Sequence, residues 1–266
     1  MMRFIIFVDG SNLWGSLKKL NLHITRYEDL FSHILKSAID SWSASIVGGE
    51  KSARLIRILW YMVSSIDEWD LNDQKVAETL RGWFNQETDL KKKYLALAGT
   101  RLYGADQEKI HQEAWSICFN EIKQWYSSKK LSIKKSHDFQ FGVQSTTDFI
   151  DIVTSGHLRV DILNKNVTEK GIDTSLAVDM LSLADTYDVA LLISGDADSI
   201  PSVQRVKHEG KHIGMVEFIK GHPPEQRGRS SSSKLKATAD FVVPIYEVDL
   251  LKNGIATIPG RGEEIR

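Results

Sequence analysis

The chain has 266 residues, 42% of them hydrophobic and 26% charged, with a formal net charge of −1. A chain of this length can build its core without disulfides, and the single cysteine, Cys118, excludes an intramolecular disulfide and a cysteine-built zinc site. The near-neutral balance provides no global positive field. That argues against a general nucleic-acid coat and leaves any such contact to local basic patches.

The predicted elements follow in chain order. Residues 4–8 are a continuous apolar run, rich in β-branched and aromatic side chains, that stops at Asp9-Gly10. Such a run fits a strand buried on both faces, and it reads as a strand rather than a signal peptide, because no small-residue cleavage pattern follows it. Leu13, Leu17 and Leu20 then recur at helical spacing. A second helix is expected over 27–44, with Leu30, Ile34, Ile39 and Trp42 among its apolar positions, and a strand over 55–63. Residues 73–90 read as one amphipathic helix through Val76, Leu80, Phe84 and Leu90, and 107–126 as another through Ile110, Ala114, Ile117 and Trp125. From 127 to 150 the helical period disappears among Ser, Thr and Lys129, Lys130, Lys134 and Lys135. The region from about 104 to 155 therefore reads as an insertion.

Alternation then resumes. Strands are expected at 158–163, 189–193, 213–219 and 241–245. Helices are expected at 172–184, apolar nearly all round and so expected to be buried, and at 199–209, stopped by Gly210. This order implies an α/β fold of three layers with a mainly parallel sheet. The expected organisation is a single domain over 1–250, containing the insertion, and a tail over 251–266. No apolar run approaches the roughly 20 residues of a membrane span, and the lone cysteine fits a reducing compartment such as the cytoplasm. The sequence is compatible with a homo-oligomer.

Two strands end in carboxylates: Val8-Asp9-Gly10-Ser11-Asn12 and Ile193-Ser194-Gly195-Asp196-Ala197-Asp198. Ligands of open α/β sheets bind beyond the carboxyl ends of the strands. If the two strands are neighbours, their ends lie about 5 Å apart, so Asp9 and Asp196 could share a divalent ion with Asp198 completing the shell. Asp173, in the first turn of the next helix, would point to the same edge. Asp179, about 240° further round that helix, ranks lower. Clustered carboxylates repel each other, and a Mg²⁺ or Mn²⁺ ion removes that cost. It also lowers the pKa of a bound water and neutralises phosphate charge, which is the chemistry of phosphodiester hydrolysis. Each residue also has a plain structural reading: a strand-end turn for Asp9, macrodipole compensation for Asp173, and an N-cap ahead of Pro201 for Asp198.

Three segments carry a family resemblance: Phe7-Val8-Asp9-Gly10-Ser11-Asn12, Lys170-Gly171-Ile172-Asp173 running into Leu176-Ala177-Val178-Asp179, and Ser194-Gly195-Asp196-Ala197-Asp198. Together with Ala239-Asp240-Phe241, they make the chain resemble the NYN domains of the PIN-like nuclease superfamily, and the LabA-like group in particular. The resemblance covers about the first 20 residues and about 157–246; residues of about 65–155 match poorly. It implies a PIN-like, Rossmannoid sheet in the order 3-2-1-4-5. It also implies a Mg²⁺- or Mn²⁺-dependent ribonuclease leaving a 5′-phosphate and a 3′-hydroxyl, with Asp9, Asp173, Asp196 and Asp198 binding metal or activating water. Asn12 would hold the Asp9 loop or touch a phosphate, and Ser194 stands in the same substrate-facing motif. Ser199 departs from the family, which often has an aromatic residue there.

Residues 220–236 hold five Lys or Arg against one Glu in a Gly/Ser/Pro-rich segment. Leaving the carboxyl edge, this segment is placed to clamp a nucleic-acid backbone through Lys220, Arg227 and Arg229. Lys170 is placed to meet a phosphate at a helix start. Trp60 and Tyr61 read as core rather than as a base-stacking platform. The expected partner is RNA, with DNA second. The alternative is an NYN-fold RNA-binding or regulatory protein without catalysis. A phosphatase of the haloacid-dehalogenase type is disfavoured, since Asp9-Gly10-Ser11 lacks the second acid it needs.

Overall fold

Residues 4–8 do form a strand buried on both faces, and the rest of the sheet is arranged around it. The computed structural model describes residues 1–45, 52–223, 227–228 and 232–259. The chain divides into two compact units. The first comprises Met1–Val63, Phe139–Gly156 and Gly171–Arg266; the second comprises Ser64–Asp138 and His157–Lys170.

In chain order the elements are β1 (Met2–Asp9), α1 (Gly10–Lys19), β2 (His23–Ile24), α2 (Tyr27–Ser45), β3 (Ala53–Ile66), α3 (Gln74–Gln86), α4 (Thr88–Arg101) and α5 (Gln107–Gln144). Then follow β4 (Ile150–Asp161), β5 (Asn166–Lys170), α6 (Ile172–Ser182), β6 (Val189–Ile193), α7 (Ile200–His208) and β7 (His212–Lys220). The chain continues through β8 (Arg227–Gly228), α8 (Ser233–Thr238), β9 (Phe241–Tyr246), α9 (Glu247–Lys252) and β10 (Ala256–Thr257).

In the first unit β1 pairs in parallel with β3 on one side and β6 on the other; β7 follows β6 and β9 follows β7, also in parallel. Alternate β1 residues face opposite layers. Phe4, Ile6 and Val8 join the core under α1 and α2, with Leu13, Leu17, Leu30 and Ile34. Ile5 and Phe7 join the core under α6 and α7, with Leu176, Met180, Val203 and Val206. A three-layer α/β architecture results, as expected. The run β4-β3-β1-β6-β7 follows the expected 3-2-1-4-5 arrangement, but the sheet continues beyond it. β9 extends it past β7, which also pairs with the short antiparallel β8, and β5 turns back antiparallel on β4. The exact strand order therefore differs from the expectation.

The second unit has its own core, which includes Leu80, Phe84, Tyr94, Ala98, Ala114, Cys118, Ile122 and Tyr126. Neither compact unit coincides with the stretch of about 104–155: the second begins at Ser64, and Phe139–Gly156 belongs to the first. Two expectations about elements are corrected here. The helix expected over 73–90 is two helices, because Glu87 takes an extended conformation (φ −78°, ψ 92°) between α3 and α4. The Lys-rich stretch from 127 continues α5 to Gln144. Its inner seam includes Tyr126, Lys130, His137 and Gln140. Tyr126 donates to the Asp67 carbonyl at 2.8 Å and Lys130 pairs with Glu68 at 2.8 Å. His137 meets the Ser64 carbonyl at 2.8 Å and Gln140 the Val63 carbonyl at 3.5 Å. A seam of polar groups satisfied by backbone carbonyls and the Glu68 carboxylate has no hydrophobic period to read.

Two smaller expectations also change. α6 leaves Val178 57% and Leu181 38% exposed, so it is a half-buried helix rather than a fully buried one. The supposed tail from 251 is structured through the end of α9 and through β10, which pairs antiparallel with β2. No helix among the described residues is long and apolar enough to cross a membrane.

Candidate metal and nucleic-acid site

The carboxyl edge of the first unit's sheet brings together two of the three acidic segments by register alone. Val8 lies beside Ile193 on the neighbouring parallel strand, so Asp9 and Ser194 leave the sheet side by side. Asp9 is only 5% exposed. It is the N-cap of α1, accepting from the Asn12 backbone N–H at 3.1 Å and from the Asn12 side-chain amide. Gly10 is required by close packing: a Cβ there would lie 2.6 Å from the Tyr61 carbonyl oxygen and 3.0 Å from Trp60 Nε1. The Asp-Gly pair is thus more than a surface turn. The aspartate caps the helix and the glycine lets β3 approach.

The second segment folds around Ser194, which is buried, and its hydroxyl accepts from the Asp196 N–H at 3.3 Å. Asp196 caps the 3-10 turn Ala197–Ser199 by accepting from the Asp198 N–H at 3.1 Å. The cap is therefore Asp196, not Asp198 as the Asp198-Ser199-Ile200-Pro201 run suggested. α7 begins at Ile200 with no side-chain cap from Ser199. Asp196 and Asp198 are both exposed. Asn12 ties the segments together, since a Cβ on Gly195 would lie 2.8 Å from its Oδ1. A small crevice lined by Asn12, Ser16, Ser194, Gly195 and Glu217 has a volume of about 10 Å³, about the room of one water molecule.

Asp173 stands in the first turn of α6, which packs beside the Ala197–Ser199 turn. Asp179 has a definite partner that the sequence did not reveal: Tyr61 Oη donates to its Oδ2 at 2.8 Å. Tyr61 is buried and lies opposite Asp9 on β3. Burial, then the contact with Asp179, raises its hydroxyl pKa, so it serves as a donor. Asp179 lies seven residues after Ile172, which returns it to within about 20° of the sheet-facing line of that residue.

Glu217 was also missed. It is 11% exposed on β7, within the apolar run 213–219, and pairs with Lys236 of α8. A charge inside an otherwise apolar strand was the available signal. The basic segment does return to this edge: the Ser232 N–H donates to the Gly195 carbonyl at 3.3 Å, and α8 packs beside the Ala197–Ser199 turn. Lys220 is exposed at the end of β7, where its backbone pairs with that of Arg227. Arg229 lies outside the described residues. Lys170 is exposed at the end of β5, in the second unit. Trp60 and Tyr61 are core residues, as read.

Among the described residues, no three Asp, Glu, His or Cys side chains are gathered closely enough to hold a metal ion by themselves. Magnesium does not need such a cage. It is held by one or two carboxylates and keeps several waters. Asp9 and Asp196 supply hard oxygen donors from the ends of neighbouring strands. Both accept from N–H groups, which leaves carboxylate lone pairs over. The donor chemistry thus fits a largely hydrated divalent ion.

The family profile described as "NYN domain", a PIN-like nuclease-family domain, matches residues 91–245, more than half of the chain. That span includes the Asp173, Asp179, Asp196 and Asp198 segments. Asp9 lies before it, and the match begins inside the region of about 65–155 expected to match poorly. The crystal structure of a protein of unknown function from Vibrio parahaemolyticus is similar at 14% identity, with 92% of this chain and 94% of that one covered and a TM-score of 0.43. No curated protein matches the chain.

Proposed function

This chain belongs to the NYN domain family, and on that premise we propose that it is a metal-dependent nuclease that hydrolyses phosphodiester bonds in RNA. One observation carries the reading: Asp9 and the Ser194-Gly195-Asp196 segment leave adjacent parallel strands at the carboxyl edge. Asp9 and Asp196 would hold Mg²⁺ or Mn²⁺, with Asp173 and Asp198 reaching its waters. The bound ion would lower the pKa of a water and offset charge on the phosphate.

The protein's own residues supply the rest. Asn12 holds the Asp9 carboxylate in one orientation and packs against Gly195. Asp198, exposed on the turn that Asp196 caps, would accept a proton from the attacking water. Lys220, Arg227 and Arg229 would bind the nucleic-acid backbone beside the edge. Hydrolysis would leave a 5′-phosphate and a 3′-hydroxyl, with no covalent intermediate on the protein.

The test is cleavage of labelled single-stranded RNA and DNA with Mn²⁺, with Mg²⁺ and with EDTA, beside Asp196→Asn. The expected result is metal-dependent cleavage of RNA, lost in EDTA and reduced about a hundredfold or more by the substitution. Binding of RNA with no cleavage under any metal would favour the regulatory alternative.

A further inference from the structure

The proposed chemistry leaves the largest aromatic feature of the first unit without a role. Trp14 of α1, Tyr27 at the start of α2 and Phe139 near the end of α5 wall a pocket of about 340 Å³, within the range of small-ligand sites. Their rings meet edge-on or tilted: Trp14 to Phe139 at 5.0 Å, Tyr27 to Phe139 at 5.4 Å and Trp14 to Tyr27 at 6.4 Å. All three are partly exposed, unlike Trp60 behind them, which is wholly buried. All three pack against the core on one side and line the pocket with the surface that remains exposed.

The polar groups of this pocket are specific. Glu28 lies in the wall against Thr146, and Arg26, exposed and 3.7 Å from the Asp29 carboxylate, also lines the pocket. Burial would raise the Glu28 pKa, but hydrogen bonds from its own backbone N–H and from Thr146, with the charge of Arg26, lower it overall. The pocket therefore presents an ionised carboxylate beside aromatic rings. A carboxylate offers two acceptors side by side, and among the four RNA bases only guanine presents two adjacent N–H donors on its pairing edge.

Position links the pocket to the acidic edge. Trp14 is five residues along α1 from Asp9, about 7 Å along the helix axis. Tyr27 packs on Trp60, which is paired with Val8 next to Asp9, whereas Trp42 near the far end of α2 packs on His212 and Phe241 at the opposite edge of the sheet. α2 thus starts at the carboxyl edge, and the pocket opens on the α1/α2 side of it.

We propose that this pocket binds a guanine base of a single-stranded substrate, packed on Trp14, Tyr27 and Phe139 and read by the Glu28 carboxylate, with Arg26 meeting its phosphate. The proposal rests on the nuclease reading for its biological meaning, but its test needs no metal and no cleavage. The 5′-monophosphates of guanosine, adenosine, cytidine and uridine are titrated into the full-length protein in EDTA, followed by tryptophan fluorescence and calorimetry. Guanosine monophosphate should bind about tenfold or more tighter than the other three, and Glu28→Gln should remove that preference by weakening a charge-assisted pair of hydrogen bonds. Phe139→Ala should weaken all four while circular dichroism stays unchanged. Should Phe139→Ala disturb the fold, Phe139→Leu, which keeps most of the volume and removes the ring, tests the same point by weakening all four. Equal affinity for the four nucleotides, or no binding of any, overturns the proposal and leaves the pocket to a protein's aromatic side chain. Guanosine binding without RNA cleavage would sink the nuclease reading alone; RNA cleavage without guanosine binding would sink the pocket alone.

Discussion

Asp9 caps a helix, and the same carboxylate is the first candidate ligand for an ion. The two roles can be separated by substitution. Asp9→Ala removes the acceptor for the Asn12 N–H, and loss of such a cap costs about 1 kcal/mol. That corresponds to roughly 2–4 °C of melting temperature in a chain of this size. Asp9→Asn keeps a good capping residue and should melt close to the wild type. It should, however, lose the stabilisation that the proposed site would gain from Mn²⁺ in the wild-type protein. Thermal melts with and without Mn²⁺ check this, and a metal-induced shift that survives in Asp9→Asn would remove Asp9 from the site. At this scale Asp9 and Asp196 were legible because each follows an apolar strand, so its position at the edge comes from the strand itself. Glu217 was marked only as a charge in an apolar strand, and the Tyr61–Asp179 pair was not legible, because their partners are distant in sequence and meet only across the assembled layers.

Among the elements, the start of β1 is fixed by an ion pair. The Arg3 guanidinium and backbone N–H both donate to Asp188, just before β6, and the Asp188 N–H returns a bond to the Arg3 carbonyl at 2.9 Å. The Arg3 side chain, by hydrogen bonding, holds the Asp188 carboxyl below the usual carboxylate range. A carboxyl whose folded pKa is depressed stabilises the fold above its unfolded pKa of about 3.9, and that contribution is lost as pH falls through the folded value. Stability should therefore decline on acidification below about pH 4, and Asp188→Asn should make that decline shallower. Denaturant melts across pH 2–6 (approximate limits set around the carboxylate range) check the slope; an unchanged slope would rule the pair out as a contributor. The helices show why element boundaries were harder to read than element types. α2 and α7 lay within a residue or two of expectation because their inner faces are apolar. The second half of α5 was missed because its seam is built of Lys130, His137 and Gln140, whose partners are Glu68 and the carbonyls of β3.

For the whole molecule, a net charge of −1 means that the proposed nucleic-acid binding would have to rest on a local patch. Within 220–236, Lys236 is committed to Glu217; on the proposed reading Lys220, Arg227, Arg229 and Lys234 would meet phosphates. Four contacts to a single strand predict that the logarithm of the binding constant falls with the logarithm of salt concentration at a slope of about −3. Replacing Arg227 and Arg229 together by Ala should reduce that slope by about half. Fluorescence anisotropy over a salt series in EDTA measures it, and an unchanged slope would place the nucleic acid elsewhere.

The amino-acid order by itself determined the alternation of strands and helices, the double-sided burial of β1 and the presence of acids at strand ends, because these depend on neighbours a few residues apart. Only the tertiary structure decided that Asp9 and Ser194 leave the sheet side by side, that Ser64–Asp138 and His157–Lys170 form a second unit, and that Asp196 rather than Asp198 caps the turn. The physical reason is range. Periodicity reports which face of an element is apolar, whereas strand register, carbonyl-satisfied polar seams and carboxylate partners are set by groups that meet only after the layers have packed.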